Sequence, residues 1–236
     1  MRWRDAMTVL RNLAFYVMFY VGSLIISMSA SAASYVVPRW VRPLCDAWSG
    51  WHHWCCTHIL GLTIRETGKR PAVPALYAVK HESYYEAIAM AHMFDHPAGV
   101  AKAELFDLPG WGRAGRAYGL IPVEREAGAK ALRAMLKAAK PALEAGRPVV
   151  IFPEGTRVPH AKRPPLRPGF AALYKILKLP VIPVAVDSGP VYKGTWKKPG
   201  TITWHFGAMI EPGLPRDEVE ALVHEGINAL NPPEEA

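Results

Sequence analysis

From Leu62 onward the chain alternates short apolar runs with longer segments whose apolar residues recur at helical spacing. The runs at 63–66, 75–79, 99–103, 149–152, 181–186 and 201–206 predict strands, and the segments 84–94, 127–144, 169–177 and 216–230 predict helices. Such alternation predicts an α/β domain with a mostly parallel sheet flanked by helices on both faces. Ligands in folds of this kind bind beyond the carboxyl ends of the strands. His81, Lys102 and Glu154 all lie at the ends of apolar runs, so the pattern assigns them to that edge.

Before this domain the pattern changes. Residues 13–37 hold no charged side chain and are preceded by Arg2, Arg4 and Arg11. Roughly 20 apolar residues suffice for a helix to cross a bilayer. The basic start and the Ser29-Ala30-Ser31-Ala32-Ala33 tail also fit a cleavable secretory signal. Residues 38–62 then carry Trp40, Trp48, Trp51 and Trp54 with Arg39, Arg42 and three histidines. Tryptophan concentrates at the lipid–water boundary, and arginine pairs there with lipid phosphates. Residues 1–62 therefore predict a membrane-seated helical segment, either one span with an interfacial helix or a helical hairpin dipping into one leaflet. Residues 63–236 form the predicted α/β domain. His52, His53, Cys55, Cys56 and His58 match none of the usual zinc spacings, so no metal is expected there.

The formal charge of +8 across 236 residues selects for a polyanionic partner, whether nucleic acid, an anionic membrane surface or phosphate-bearing small molecules. Cys45, Cys55 and Cys56 all precede residue 60, which leaves the main domain without an internal disulfide and fits a reducing compartment.

The chemistry concentrates in two stretches. Val79-Lys80-His81-Glu82-Ser83-Tyr84-Tyr85-Glu86 joins a predicted strand to a predicted helix, and an imidazole at such a corner can be held by a carboxylate while facing a crevice. Residues five apart on one regular helix lie roughly 140° apart, so His81 and Glu86 meet only if the helix begins near Ser83. Ser83 and Glu86 also fit a capping box, a purely structural role for the acid. The second stretch, Phe152-Pro153-Glu154-Gly155-Thr156-Arg157, places a glycine turn and an arginine fork after an apolar run, which makes an anion cradle. Lys102 and Arg125 follow other apolar runs and can converge on the same phosphate.

Together, His81 with Glu86, Lys102-Ala103-Glu104-Leu105, residues 119–125, residues 152–157 and residues 181–186 resemble, in order and spacing, the four blocks of the glycerolipid acyltransferase family, in particular its bacterial branch that acylates lysophosphatidic acid. One departure is the acid, which is usually Asp in this family and here is Glu86. The resemblance implies that His81 takes the proton of a glycerol hydroxyl and Glu86 orients the imidazole, so that the hydroxyl oxygen attacks an acyl thioester carried by coenzyme A or acyl carrier protein. Lys102, Arg125 and Arg157 would then clamp the acceptor phosphate, with Gly155 and Thr156 in the same loop and Glu154 binding the glycerol or fixing the loop. No metal or redox cofactor and no nucleic acid are implied, and the place is the cytoplasmic face of the inner membrane.

Three alternatives stand beside this. Another lysolipid can be the acceptor. A serine hydrolase built on His81 and Ser83 lacks a Gly-x-Ser-x-Gly elbow anywhere in the chain. A non-catalytic module binding anionic lipid explains the charge but has no need of a histidine and an acid at a strand end.

Overall fold

The computed structural model of the chain describes residues 3–71, 73–109, 111–123 and 128–232. Helices α1 (Trp3–Val36) and α2 (Val41–Trp54) are joined by a single 3-10 turn, Pro38–Trp40. They fold back on one another as an antiparallel hairpin: the Trp48 indole donates to the Ser23 hydroxyl at 2.9 Å and the Trp51 indole to the Met18 carbonyl at 3.2 Å. Gly22 makes room for this crossing, since a Cβ there would lie 2.2 Å from the Trp51 indole nitrogen. A π-helical turn, Cys55–Ile59, leads into the first strand.

The strands are β1 (Leu62–Gly68), β2 (Leu76–Val79), β3 (Ala98–Lys102), β4 (Ile121–Val123), β5 (Val149–Ile151), β6 (Val181–Val186) and β7 (Gly200–Phe206). Among the described residues they form one seven-stranded sheet in the order β1-β7-β6-β2-β5-β3-β4. Strands β6, β2, β5, β3 and β4 run parallel, while β7 is antiparallel to β6 and carries β1 parallel to itself. The sheet is therefore mostly parallel and flanked by helices, as the alternating pattern predicts. The remaining helices are α3 (Tyr85–Met93), α4 (Trp111–Tyr118), α5 (Gly128–Glu144), α6 (Pro168–Leu177), α7 (Gly189–Tyr192) and α8 (Arg216–Ile227). Helix α4 and strand β4 are not among the elements the sequence pattern predicts: Gly112 and Gly115 sit inside α4, and a Cβ on Gly112 would lie 1.9 Å from the Phe106 carbonyl oxygen. Those glycines serve close packing inside a helix.

Side chains alternate across the sheet as strand geometry requires. Tyr77, Val79, Ile182, Val184, Ile202 and Trp204 pack on the face covered by α1, α3 and the π-helical turn. Leu76, Ala78, Val149, Ile151 and Val181 pack on the other face, against α5, α6 and α8.

The N-terminal hairpin is part of this core. Phe15, Phe19, Cys55, Cys56 and Leu60 are buried in the same cluster as the strands. Asn12, a polar residue in an apolar helix, is buried and bonds both ways to one backbone unit: its carbonyl accepts the Lys197 amide and its NH2 donates to the Lys197 carbonyl, each at 2.8 Å. Toward solvent the same helix turns Leu10, Leu13, Val17, Val21, Leu24, Ile25 and Met28, an exposed stripe at helical spacing. Helix α1 is thus laid along the domain with its outer side bare, and its residues Ala6–Val36 are long and apolar enough to cross a membrane.

Candidate active site

The site forms where β2 gives way to α3. The Lys80 amide still bonds to the Val184 carbonyl at 2.9 Å, and the chain then turns. The His81 carbonyl accepts the Val158 amide at 2.7 Å, and its own amide points at the Glu154 carboxylate at 3.4 Å. The imidazole Nδ1 lies 3.1 Å from Glu86 Oε2. Since a carboxylate accepts only, the proton shared there is on Nδ1 and the lone pair is left on Nε2. No described residue bonds that Nε2. The ring stacks on Phe152, centroids 4.1 Å apart and planes 21° apart, and keeps 14% of its side chain exposed, while the Glu86 side chain is wholly buried.

Glu86 serves two purposes at once. Its Oε2 also accepts the Ser83 amide at 3.0 Å, and the Ser83 hydroxyl accepts the Tyr85 amide at 3.0 Å, so Ser83 and Glu86 satisfy helix-start donors reciprocally. One carboxylate oxygen thus takes both the helix-start bond and the contact with the imidazole. The other oxygen accepts the Ser188 hydroxyl, and Ser188 in turn lies 2.7 Å from the Ser83 hydroxyl. Three donors hold the carboxylate in place.

The loop after β5 is laced to the same corner. Glu154 is buried and its Oε1 accepts Lys80 Nζ at 2.6 Å. Lys80 spends its other two ammonium protons on the Lys162 carbonyl at 2.9 Å and Asn228 Oδ1 at 2.8 Å. Burial pushes the Glu154 carboxyl up, and the Lys80 ammonium and the His81 amide act against that. Gly155 turns the loop with φ +69°. A side chain there would be strained, and its Cβ would lie 2.9 Å from Arg167 Cγ. Thr156 and Arg157 face outward, with the Arg157 guanidinium 3.7 Å above the Tyr84 ring.

His81, Glu86, Glu154, Gly155, Thr156 and Arg157 therefore come together. Lys102 is exposed at the carboxyl end of β3, two places from β2 along the same sheet edge. Arg125 lies outside the described residues. Of the two roles open to Glu154, fixing the loop matches its inward-turned position. Sequence reasoning missed Lys80, whose signal was a charge directly after an apolar strand, and Ser188, which carries no signal in the sequence. The histidines and cysteines at 52–58 take different partners: His52 is buried 2.8 Å from the Tyr192 hydroxyl and 3.4 Å from Cys56 Sγ, His53 packs tilted against His92, and His58 stacks on Trp54.

A family model described as Acyltransferase matches residues 62–187. The chain belongs to the acyltransferase family. A curated relative from Pseudomonas aeruginosa, named 1-acyl-sn-glycerol-3-phosphate acyltransferase, is 31% identical over 197 residues, spanning 78% of this chain and 77% of the relative. One of the same name from Helicobacter pylori is 34% identical over 106 residues, 44% of each chain. The crystal structure of the 1-acyl-sn-glycerophosphate acyltransferase PlsC from Thermotoga maritima superposes with a TM-score of 0.64 at 21% identity, over 96% of this chain and 97% of that one, and shares the fold. In this acyltransferase the matched family span begins at β1 and ends just past β6. It takes in His81, Glu86, Lys102 and the 152–157 loop, and leaves α1, α2 and the Asn228 anchor outside.

Proposed function

We propose that this acyltransferase moves a fatty acyl group from an acyl thioester, carried by coenzyme A or acyl carrier protein, to the sn-2 hydroxyl of 1-acyl-glycerol-3-phosphate, forming phosphatidic acid. The observation that carries the proposal is the His81 imidazole, fixed through Nδ1 by a buried carboxylate and open at Nε2. That Nε2 takes the hydroxyl proton as the oxygen attacks the thioester carbonyl. The tetrahedral intermediate then collapses, the carbon–sulfur bond breaks, and the imidazolium returns its proton to the departing thiolate. Glu86 holds the tautomer and stabilises the imidazolium between these steps. Lys102, Arg125 and Arg157 receive the acceptor phosphate. Backbone amides or Lys102 face the developing oxyanion.

Residues 1–62 act as the membrane seat of the catalytic domain at 63–236. The bare apolar stripe of α1 enters one leaflet, because its opposite side is occupied by the domain and a helix so covered is not free to stand across the bilayer alone. The substrate then arrives laterally from the lipid while the phosphate end stays at the water boundary. The net charge of +8 favours the anionic cytoplasmic face of the inner membrane.

The test is transfer of labelled acyl groups, from coenzyme A and from acyl carrier protein, by purified protein in mixed micelles against a panel of lysolipids. Lysophosphatidic acid reacts and His81→Ala abolishes the reaction. If an uncharged lysolipid reacts while lysophosphatidic acid is ignored, the phosphate-clamp roles fall.

A further inference from the structure

Lys80, His81 and Glu82 are consecutive, yet their side chains bond to three different parts of the fold. Lys80 goes to Glu154 and to Asn228 at the end of α8, and His81 goes to Glu86. The Glu82 side chain, wholly buried, accepts His160 Nδ1 on Oε1 at 2.9 Å and the Gly189 amide on Oε2 at 2.7 Å. His160 mirrors His81: its Nδ1 is committed to a glutamate, no described residue bonds its Nε2, and 29% of its side chain is exposed.

Gly189 directly follows Ser188, whose hydroxyl donates to Glu86. Two consecutive residues of one turn therefore hold the two carboxylates, Ser188 on Glu86 and Gly189 on Glu82. The turn fits tightly, because a Cβ on Gly189 would lie 2.7 Å from Glu82 Oε2 and 3.2 Å from His160 Cβ. Burial raises the Glu82 carboxyl, while the Gly189 amide and His160 favour its anion and the neighbouring Glu86 opposes it. Without the His160 proton, a buried oxygen of Glu82 would be left unpaired beside a second carboxylate, which is expensive in a dry site.

We propose that Glu82 and His160 are a positioning dyad for acyl transfer: together they lock the Ser188–Gly189 turn so that Ser188 keeps Glu86 aimed at His81. The proposal rests on the reading of His81 as the base. It gives a purpose to a second histidine–glutamate pair that the reaction itself does not consume.

The experiment compares His160→Asn with His160→Asp in the full-length protein, assayed in mixed micelles with acyl-coenzyme A and lysophosphatidic acid. The two variants are nearly the same size. Asparagine offers an N–H to Glu82, whereas aspartate offers only a second negative charge. His160→Asn is expected to keep kcat within about threefold, and His160→Asp to lose roughly 10- to 100-fold in kcat with the KM for lysophosphatidic acid unchanged, as for a misaimed catalytic group. Because both act through one turn, adding His160→Asp to Ser188→Ala should lower kcat no further than the larger single loss. Equal kcat for the Asn and Asp variants, or losses that multiply with Ser188→Ala, overturns the dyad. His81→Ala is measured alongside: if it stays active the base assignment fails, and if it is dead while His160→Asp is intact only the dyad fails.

Discussion

His81 and Glu86, five residues apart in sequence, meet at 3.1 Å because the histidine sits in the turn ahead of α3 and the glutamate in its first turn. Glu86→Gln keeps the size but removes the charge that fixes the Nδ1 tautomer and stabilises the imidazolium. Its kcat should fall by roughly 10²- to 10⁴-fold with little change in acceptor KM. Glu86→Asp restores the charge on a shorter arm and should fall between the glutamine variant and the native enzyme. Steady-state kinetics on all three decide the order.

Lys80 and Glu154 form a buried ion pair in which every ammonium proton has an acceptor. Removing one partner strands the other charge, so Lys80→Met should cost about 3–5 kcal/mol of stability. Lys80→Met with Glu154→Leu should recover part of that. Chemical denaturation in detergent measures both, and a double variant no more stable than the single one contradicts the pairing.

Arg157 lies on the outer face of its loop over Tyr84, free to leave the ring for an anion. Arg157→Ala should raise the KM for lysophosphatidic acid by about tenfold or more, the worth of one charge-assisted contact of about 1.5–3 kcal/mol, with a smaller change in kcat. Arg157→Lys should recover only part, since an ammonium lacks the planar fork. Initial rates against acceptor concentration read the split.

His52 is buried among Phe15, Phe19, Tyr85 and Tyr192, and burial pushes its imidazole down to about 3. The folded pKa is below the unfolded one, so the stability tied to its neutral form is fully present above about pH 6.5 and is lost as pH falls from there toward 3. The loss from this one group approaches about 1.4 kcal/mol per pH unit. His52→Asn should remove that part of the acid slope. Unfolding curves of both proteins between pH 7 and 4 make the comparison, and parallel slopes refute it.

Asn12 joins α1 to the Lys197 backbone through two bonds at 2.8 Å. Asn12→Ala leaves a buried amide and carbonyl without partners and should cost about 1–3 kcal/mol. Membrane binding should survive, because the exposed stripe of α1 is untouched. Denaturation and vesicle flotation test the two halves separately.

The strand at 181–186 was readable because a strand buried throughout is a short, β-branched apolar run, and that at 201–206 because its buried residues alternate along the chain. Helix α4 was not, since Gly112 and Gly115 read locally as loop and become helical only where Phe106 and Trp111 pack against them. The site divides in the same way. His81, Glu86 and the 152–157 loop were legible from spacing within one strand–helix corner and one strand–loop corner. The inward turn of Glu154 was not, because its partner Lys80 lies 74 positions earlier.

The chain alone thus determined most of the order of elements, the apolar stretch of α1 and the histidine–acid corner, all of which depend on neighbours within a few residues. Only the tertiary structure decided that Ser188 holds Glu86, that Glu82 pairs with His160, and that α1 lies along the domain through Asn12. Each of these joins residues 78 to 185 positions apart, where pairing depends on how the sheet and its helices bring distant turns together.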